Sequence, residues 1–571
     1  MAEGSRVRRD IGRLAVLKRG HCGQANQMAK SPLSAYFLRR CKTVVRPYLR
    51  KARRLDDLLA TAKELTTKQR DLIVQQAIML LEGFYAHLPL KRAMYAVDPL
   101  QRLRLLRYRL PSFNSDRAFH AEMTDIFMSL RDRHTYYSLP APFTLAAAWL
   151  PFKVESYYDG KCRRYLVAHV APGFRRSTFR EGIELLYWNG VPIARAVELA
   201  GARSAGNSPE ARHALGLQIL TARALETDPL PDAEWVTIRY RTLDGREDET
   251  RVDWAVTPQP LSPTAAQKRA DIFKFLFAPD VLKFEGKRRS RLTGLESRLP
   301  NIFRARIVRT SYGSFGYIRI FSFFVDDPDE LVSEFVRLIK LKIFPQNGLI
   351  IDVRDNPGGR TAAAEMLLQL ISPLHPIMPE RVYFANTPHI LKLCQLQKSN
   401  RQEGPRGLQP WIDSVKRAME TSAMFSANFP RNDERKCNSM TTQKYPGRVV
   451  VITNALTYSA AEFFAAGFQD HGGKILGVDR VTGGGGANMR THHQLRKYFK
   501  KALASPFRAL PRNVGLSVAY RRSQRVRAHA GIDVEDFGIK PNCFHCMSPN
   551  DILNRNVDLI NCAASHLVEE A

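Results

Sequence analysis

The 571-residue sequence contains no stretch of about 18 uninterrupted apolar residues, so no segment reads as a membrane-spanning helix. Its first thirty residues also lack the apolar core of about 7–15 residues that marks a secretory signal; Leu14-Ala15-Val16-Leu17 is the longest apolar run there. The expectation is a cytoplasmic chain. Eight cysteines scattered over this length do not make a disulfide framework. Acidic residues are the scarce charge: Asp+Glu total 55 against Lys+Arg 87, a formal net charge of +32. Residues 1–54 hold 15 Lys+Arg against Glu3 and Asp10, so +13 of that charge sits in a basic leader, expected to be flexible. The basic residues are 62 Arg to 25 Lys, a bias that a GC-rich genome also produces. Zinc-finger, RNP and heptad signatures are missing, so charge alone does not make nucleic acid the main partner. Internal repeats and low-complexity tracts are absent as well.

What is present is an ordinary globular composition, 44% hydrophobic and 25% charged, long enough for about three or four folding units. Residues 55–150 carry helical periodicity. Leu72, Ile73, Ala77, Leu80 and Leu81 recur at three- and four-residue steps, as do Phe119, Met123, Ile126, Phe127 and Leu130. The second pattern ends in Asp132-Arg133-His134-Thr135 before the breakers Pro140 and Pro142, which places His134 just past a helix end. Residues 151–257 turn strand-rich. Asn189-Gly190 and Asp244-Gly245 are hairpin turn pairs between strand-like runs, a pattern that fits a PDZ-like module. Residues 258–299, opened by Pro258, Pro260 and Pro263, read as a linker.

From about 300 to 571 the pattern is α/β. Gly348–Val353 and Arg448–Thr453 are short, continuous apolar runs suited to strands buried on both faces, and each leads through a turn into an Ala-rich helical segment. Residues 395–445 read as a polar, irregular insertion. One strand-to-helix junction is Asp352-Val353-Arg354-Asp355-Asn356-Pro357-Gly358-Gly359, where paired glycines leave backbone N–H groups able to meet a developing negative charge. The other is Tyr458-Ser459-Ala460-Ala461-Glu462, which puts Ser459 at a helix N-terminus. Taken alone, Ser459 with Glu462 three residues on reads as a capping box.

In order along the chain these elements resemble the C-terminal processing (tail-specific) serine peptidases and their tricorn-core relatives. The resemblance rests on Asp132-Arg133-His134-Thr135, Phe179-Arg180-Glu181-Gly182 through Asn189-Gly190, Gly316-Tyr317-Ile318-Arg319-Ile320, the two junctions, Gly477-Val478-Asp479-Arg480-Val481-Thr482-Gly483-Gly484, and Glu535-Asp536-Phe537-Gly538-Ile539-Lys540-Pro541-Asn542. It runs from about residue 65 to 560. It implies a multidomain α/β protein: a crotonase/ClpP-like α/β peptidase core over 300–571, a helical N-terminal region and a PDZ-like β-rich module. It also implies a serine endopeptidase acting on proteins or peptides without a cofactor. One branch of the family activates its serine with a lysine in a Thr-x-Gly-Lys-Gly element; here that stretch is Thr482-Gly483-Gly484-Gly485-Gly486, and Lys474 lies in a different element. The other branch uses histidine and a distant glutamate, which maps onto Ser459 as nucleophile, His134 as base and Glu535 as carboxylate, with Asp533 and Asp536 as rivals. Gly358, Gly359 and Ala460 would supply the oxyanion hole.

The chemistry suits these residue types. Histidine titrates near neutrality and can take the serine proton and return it to the leaving amine. The competing expectation is a silent relative that binds peptide or another ligand as a scaffold. A crotonase-like acyl-CoA enzyme would leave the PDZ-like module and the His134 element unexplained. The sequence lacks a Gly-x-Ser-x-Gly elbow around Ser459, and no Gly-Lys-Ser/Thr follows the Gly483–Gly486 run. Cys543-Phe544-His545-Cys546 is half a metal site with no second pair nearby, and His492-His493 read as loop residues.

Overall fold

The computed structural model describes residues 53–171, 173–258, 295–399, 408–439, 445–500 and 505–568. Nearly all of the basic leader and most of the 258–299 linker lie outside these residues.

The periodic N-terminal segment folds into helices Thr67–Phe84, Leu88–Tyr95, Pro99–Tyr108 and Asp116–Met128. The first is opened by a reciprocal cap in which Thr66 Oγ1 accepts the Gln69 N–H and Gln69 Oε1 accepts the Thr66 N–H. Its buried face is Ile73, Val74, Ala77, Leu80 and Leu81, the expected stripe with Val74 in place of Leu72.

The PDZ-like expectation meets a sheet of Phe152–Asp159, Cys162–Val170, Glu184–Trp188, Trp235–Arg241 and Glu247–Asp253, with the short strand Val191–Pro192 beside Glu184–Trp188. Asn189 and Gly190 both have positive φ (49° and 77°), the geometry a two-residue hairpin turn requires. Helices Ile193–Ala202 and Pro209–Thr221 lie between these strands and escaped the strand-based reading. They pack closely because Gly201 and Gly216 face the opposing backbone; a Cβ at Gly216 would sit 2.3 Å from the Val197 carbonyl oxygen.

The core sheet runs Phe303–Thr310, Gly313–Ile320, Gly348–Asp352, Arg448–Thr453, Lys474–Gly477 and Cys543–Phe544, antiparallel at the first pair and parallel thereafter. Helices Pro328–Ile339, Thr361–Ile371 and Ala460–Asp470 join one apolar cluster, while Val557–Val568 joins a second. Cover on both faces explains why Gly348–Asp352 is buried at every position. The loops leaving Asp352 and Thr453 emerge at the same end of the parallel strands, where α/β sheets bind ligands.

A second sheet delivers His134 to that end. Tyr136–Ser138 pairs with the long strand Gly515–Gln524, which also pairs with Arg381–Tyr383 and Ala487–Thr491. Two expectations are corrected here. The 395–445 segment is not irregular throughout: it contains helix Gln409–Thr421, which buries Trp411, Ile412, Val415 and Ala418. His492-His493 open helix His492–Phe499 rather than a loop, with His492 Nε2 2.8 Å from Gln76 Oε1. Among the described residues no helix is long and apolar enough to cross a membrane.

Candidate active site

Ser459 stands between strand Arg448–Thr453 and helix Ala460–Asp470 with φ 58° and ψ −123°. A non-glycine residue held there costs about 1–3 kcal/mol, so its surroundings must fix it. The expected capping box joins Ser459 to Glu462, whose Oε2 accepts the Ser459 N–H at 3.2 Å. The serine Oγ turns away from the helix and lies 3.1 Å from His134 Nε2.

His134 is held through its backbone. Its N–H donates to Asp132 Oδ1 at 2.8 Å, its carbonyl accepts from Ser517 Oγ at 2.9 Å, and Thr135 Oγ1 accepts the Ala519 N–H at 2.9 Å. The Tyr458 hydroxyl lies 3.2 Å from His134 Nδ1, and Asp132 Oδ1 lies 3.8 Å from it. Burial lowers the imidazole pKa to about 4; Asp132 opposes that shift, while Arg133 and Lys91 add to it. His134 is therefore neutral at pH 7, with one nitrogen able to accept a proton.

Glu535 is fully buried, with Oε1 2.9 Å from Lys91 Nζ and Oε2 3.7 Å from His87 Nε2. The structure does not seat it on His134; the oxygens facing Nδ1 are those of Tyr458 and Asp132. Burial pushes the Glu535 pKa well up, and Lys91 pulls against it. Its rivals are engaged elsewhere. Asp533 accepts from Tyr383 Oη at 2.9 Å and from Arg522 Nη2 at 2.7 Å, and Asp536 accepts from Tyr95 Oη at 3.1 Å and also pairs with Lys91.

His87, Asp132 and Glu535 bring one potential ligand atom each within 4.8 Å of the others, the one such group among the described residues. Lys91 already sits on Glu535, and Arg522 Nη1 lies 2.9 Å from His87 Nδ1, so a metal cation entering here would meet two fixed positive charges. In the half-site noted in the sequence, His545 Nε2 lies 2.7 Å from Asp551 Oδ2 instead.

The three expected oxyanion donors separate into two roles. The Gly358 N–H donates to Asn356 Oδ1 at 2.9 Å, so this donor is already used, which corrects the expectation. Gly358 instead supplies room: at φ 97°, a Cβ there would lie 2.7 Å from Ser459 Cβ and 2.8 Å from Ala460 N. The N–H groups of Gly359 and Ala460 donate to no acceptor among the described residues and remain available. Asn356 ties the two junctions together, since its carbonyl accepts the Tyr458 N–H at 3.0 Å and its Nδ2 donates to the Ile320 carbonyl at 3.0 Å. Asp352 anchors the same loop through Tyr317 Oη and Arg354 Nη2, both at 2.8 Å.

Glu462, read from the sequence only as the cap partner of Ser459, has a wider role. Glu462 accepts from Thr482 Oγ1 at 2.5 Å, Gly484 N at 2.6 Å and Gly485 N at 2.5 Å, fastening the glycine run to the serine helix. Burial pushes its pKa up to about 7 against the pull of these donors. The glycine run in turn encloses Tyr458: a Cβ at Gly485 would lie 2.1 Å from Tyr458 Cζ, and one at Gly483 would lie 2.7 Å from Cδ2. The readable signal was the run of four glycines, two of which, Gly483 and Gly485, leave the room that the Tyr458 ring fills. Lys474 begins strand Lys474–Gly477, opposite Val450, while Gly477 at the other end pairs with Thr453, the last strand residue before Ser459. A cleft of about 370 Å³ opens beside Ser459 and His134, lined by Met128, Leu215, Ile219, Phe324 and Met489 together with Glu226.

Residues 314–542 match the family model of peptidase family S41, and residues 146–261 match that of a PDZ domain. An uncharacterized protein of Chlamydia muridarum is 22% identical over 512 residues, covering 76% of this chain and 81% of its own length. A protein of Chlamydia trachomatis is 22% identical over 510 residues, covering 75% and 80%. The solved structure of mature CPAF superposes with a TM-score of 0.61 at 18% identity, covering 87% of this chain and 96% of that one, and so shares its fold. The chain thus carries a match to peptidase family S41 over residues 314–542 with a match to a PDZ domain ahead of it in sequence, and the protein is a serine-type peptidase.

Proposed function

We propose that the chain is a serine endopeptidase in which Ser459 attacks the peptide carbonyl and His134 serves as general base. The carrying observation is the 3.1 Å contact between Ser459 Oγ and the Nε2 of a neutral, buried imidazole. His134 takes the hydroxyl proton as the acyl bond forms, then passes it to the leaving amine; water reverses the sequence to free the enzyme. The Ala460 and Gly359 N–H groups face the oxyanion, where losing one donor costs about 10²–10³ in rate. Asp132, with Oδ1 3.8 Å from Nδ1, opposes the effect of burial on the ring and so favours the imidazolium formed during attack. The glycine run supports this reading over a lysine base: the space into which a side chain at 485 would enter is filled by Tyr458.

The test is labelling with a fluorophosphonate probe and mapping of the labelled peptide. Label on Ser459 in the wild type that is lost in both Ser459→Ala and His134→Ala is the expected result. A folded wild type that takes no label would favour a binding scaffold, and label surviving His134→Ala would mean another base.

A further inference from the structure

We propose that Tyr458, the residue preceding the nucleophile, is a positioning residue that fixes the tautomer of His134, its phenol oxygen accepting the Nδ1 proton so that Nε2 is left bare for Ser459. The inference rests on His134 acting as the base. It concerns what holds that base in the productive state, a role that the sequence resemblance implied for Glu535.

The argument begins with counting protons. A neutral imidazole carries one, and a serine that donates to Nε2 requires that proton to be on Nδ1. A buried N–H without an acceptor is costly, so the tautomer follows the acceptor that Nδ1 can reach. Two oxygens face it. Asp132 Oδ1 lies 3.8 Å away, beyond hydrogen-bond distance, and already accepts the His134 backbone N–H at 2.8 Å. The Tyr458 oxygen lies at 3.2 Å.

Tyr458 is also built in place. It is 5% exposed, its backbone N–H is held by the Asn356 carbonyl, and its ring packs on the imidazole with centroids 4.8 Å apart and planes 30° from parallel. The Arg133 guanidinium lies 4.3 Å from the tyrosine ring centroid, and Gly483 and Gly485 leave the room the ring fills. A phenol confined in this way presents its oxygen to one partner.

The surroundings of the phenol keep it neutral. Glu535 and Asp132 are the two strongest charges acting on Tyr458, and with burial they keep it protonated. Asp132 Oδ2 and Glu535 Oε2 have no hydrogen-bond partner among the described residues. No proton leaves Tyr458 during the reaction. The serine proton moves to Nε2, Nδ1 keeps its own, and the phenol stays neutral.

Tyr458→Phe keeps the ring and removes only the oxygen. With a fluorophosphonate as probe, the labelling rate of Ser459 should fall about 10- to 100-fold, the scale of one buried hydrogen bond, while the protein still unfolds cooperatively. Imidazole ¹⁵N spectra of histidine-labelled protein, assigned with His134→Ala, supply a readout that mere packing would not move. Wild-type His134 should be protonated at Nδ1, and Tyr458→Phe should shift population to the Nε2–H form. A wild-type His134 protonated at Nε2 would overturn the proposal without any variant. So would a Tyr458→Phe protein with an unchanged rate and tautomer. Labelling that persists in His134→Ala would instead remove the premise that His134 is the base.

Discussion

Gly485 and Tyr458 compete for one space: a Cβ at 485 would lie 2.1 Å from the tyrosine Cζ, and the ring is there. The conformation at Gly485 is one that any residue adopts, so the glycine is required by the close approach alone. Gly485→Ala should push the ring off the imidazole and slow fluorophosphonate labelling at least as much as Tyr458→Phe. Overpacking of this kind costs about 1–3 kcal/mol, visible in denaturant unfolding. Adding Tyr458→Ala should relieve the overlap without restoring the labelling. Gly485→Lys should not restore activity to a His134→Ala enzyme, because the lysine would enter a filled site.

The pH dependence follows from the depressed pKa of His134. The base must be neutral, and its pKa of about 4 lies well below the ordinary 6.5. The labelling rate should therefore stay flat from neutrality to about pH 5 and fall only as the solution approaches the pKa. Lys91 is one of the charges holding that pKa down, so Lys91→Met should move the acid limb to higher pH. The same change leaves Glu535 and Asp536 without their buried cation and should cost about 3–5 kcal/mol of stability. A limb centred near pH 6.5 in the wild type would contradict this account of the site.

Acid should also weaken the fold at a definable place. His120 and His134 are buried, and burial brings both to about pKa 4. For each, the unfolded chain binds the proton more readily than the folded one below pH 6.5, so stability is complete above 6.5 and declines as pH falls toward 4. At pH 5.5 each contributes a loss of about 1 kcal/mol. His120→Gln should remove part of this dependence, since the imidazole whose Nδ1 lies 2.6 Å from Tyr137 Oη no longer titrates. Denaturant midpoints across pH 5–7 measure it.

The parts of this protein legible in the sequence are those that depend on local pattern. Buried parallel strands such as Gly348–Asp352 declare themselves as apolar runs, Asn189-Gly190 declares its turn, and Ser459 and His134 stood in motifs whose order could be read. What escaped depends on contacts distant along the chain. Lys91 meets Glu535 and Asp536 across more than 400 positions, and nothing in Leu88–Tyr95 marks the lysine as buried. The role of Tyr458 comes from glycines 25 and 27 residues on, which its place beside Ser459 does not reveal. Gly358 was read as a donor, but whether a backbone N–H is free depends on a neighbour, here Asn356, which a motif does not reveal.

Glu462 offers the sharpest separation of charge from shape. Its carboxylate faces four donors, from Ser459, Thr482, Gly484 and Gly485, and faces no donor-free surface that an amide could use. Glu462→Gln is nearly isosteric but places an NH₂ group against one or more of these N–H groups. The glycine run should then detach from the serine helix, at a cost of about 2–4 kcal/mol for the buried donors left unpaired. Because the run walls in Tyr458, the labelling rate should fall with it. Hydrogen exchange distinguishes this from general loosening: the Gly484 and Gly485 amides should lose protection in Glu462→Gln, while those of strand Gly348–Asp352 keep theirs. Equal loss at both would mean that Glu462 supports the whole sheet rather than latching one loop.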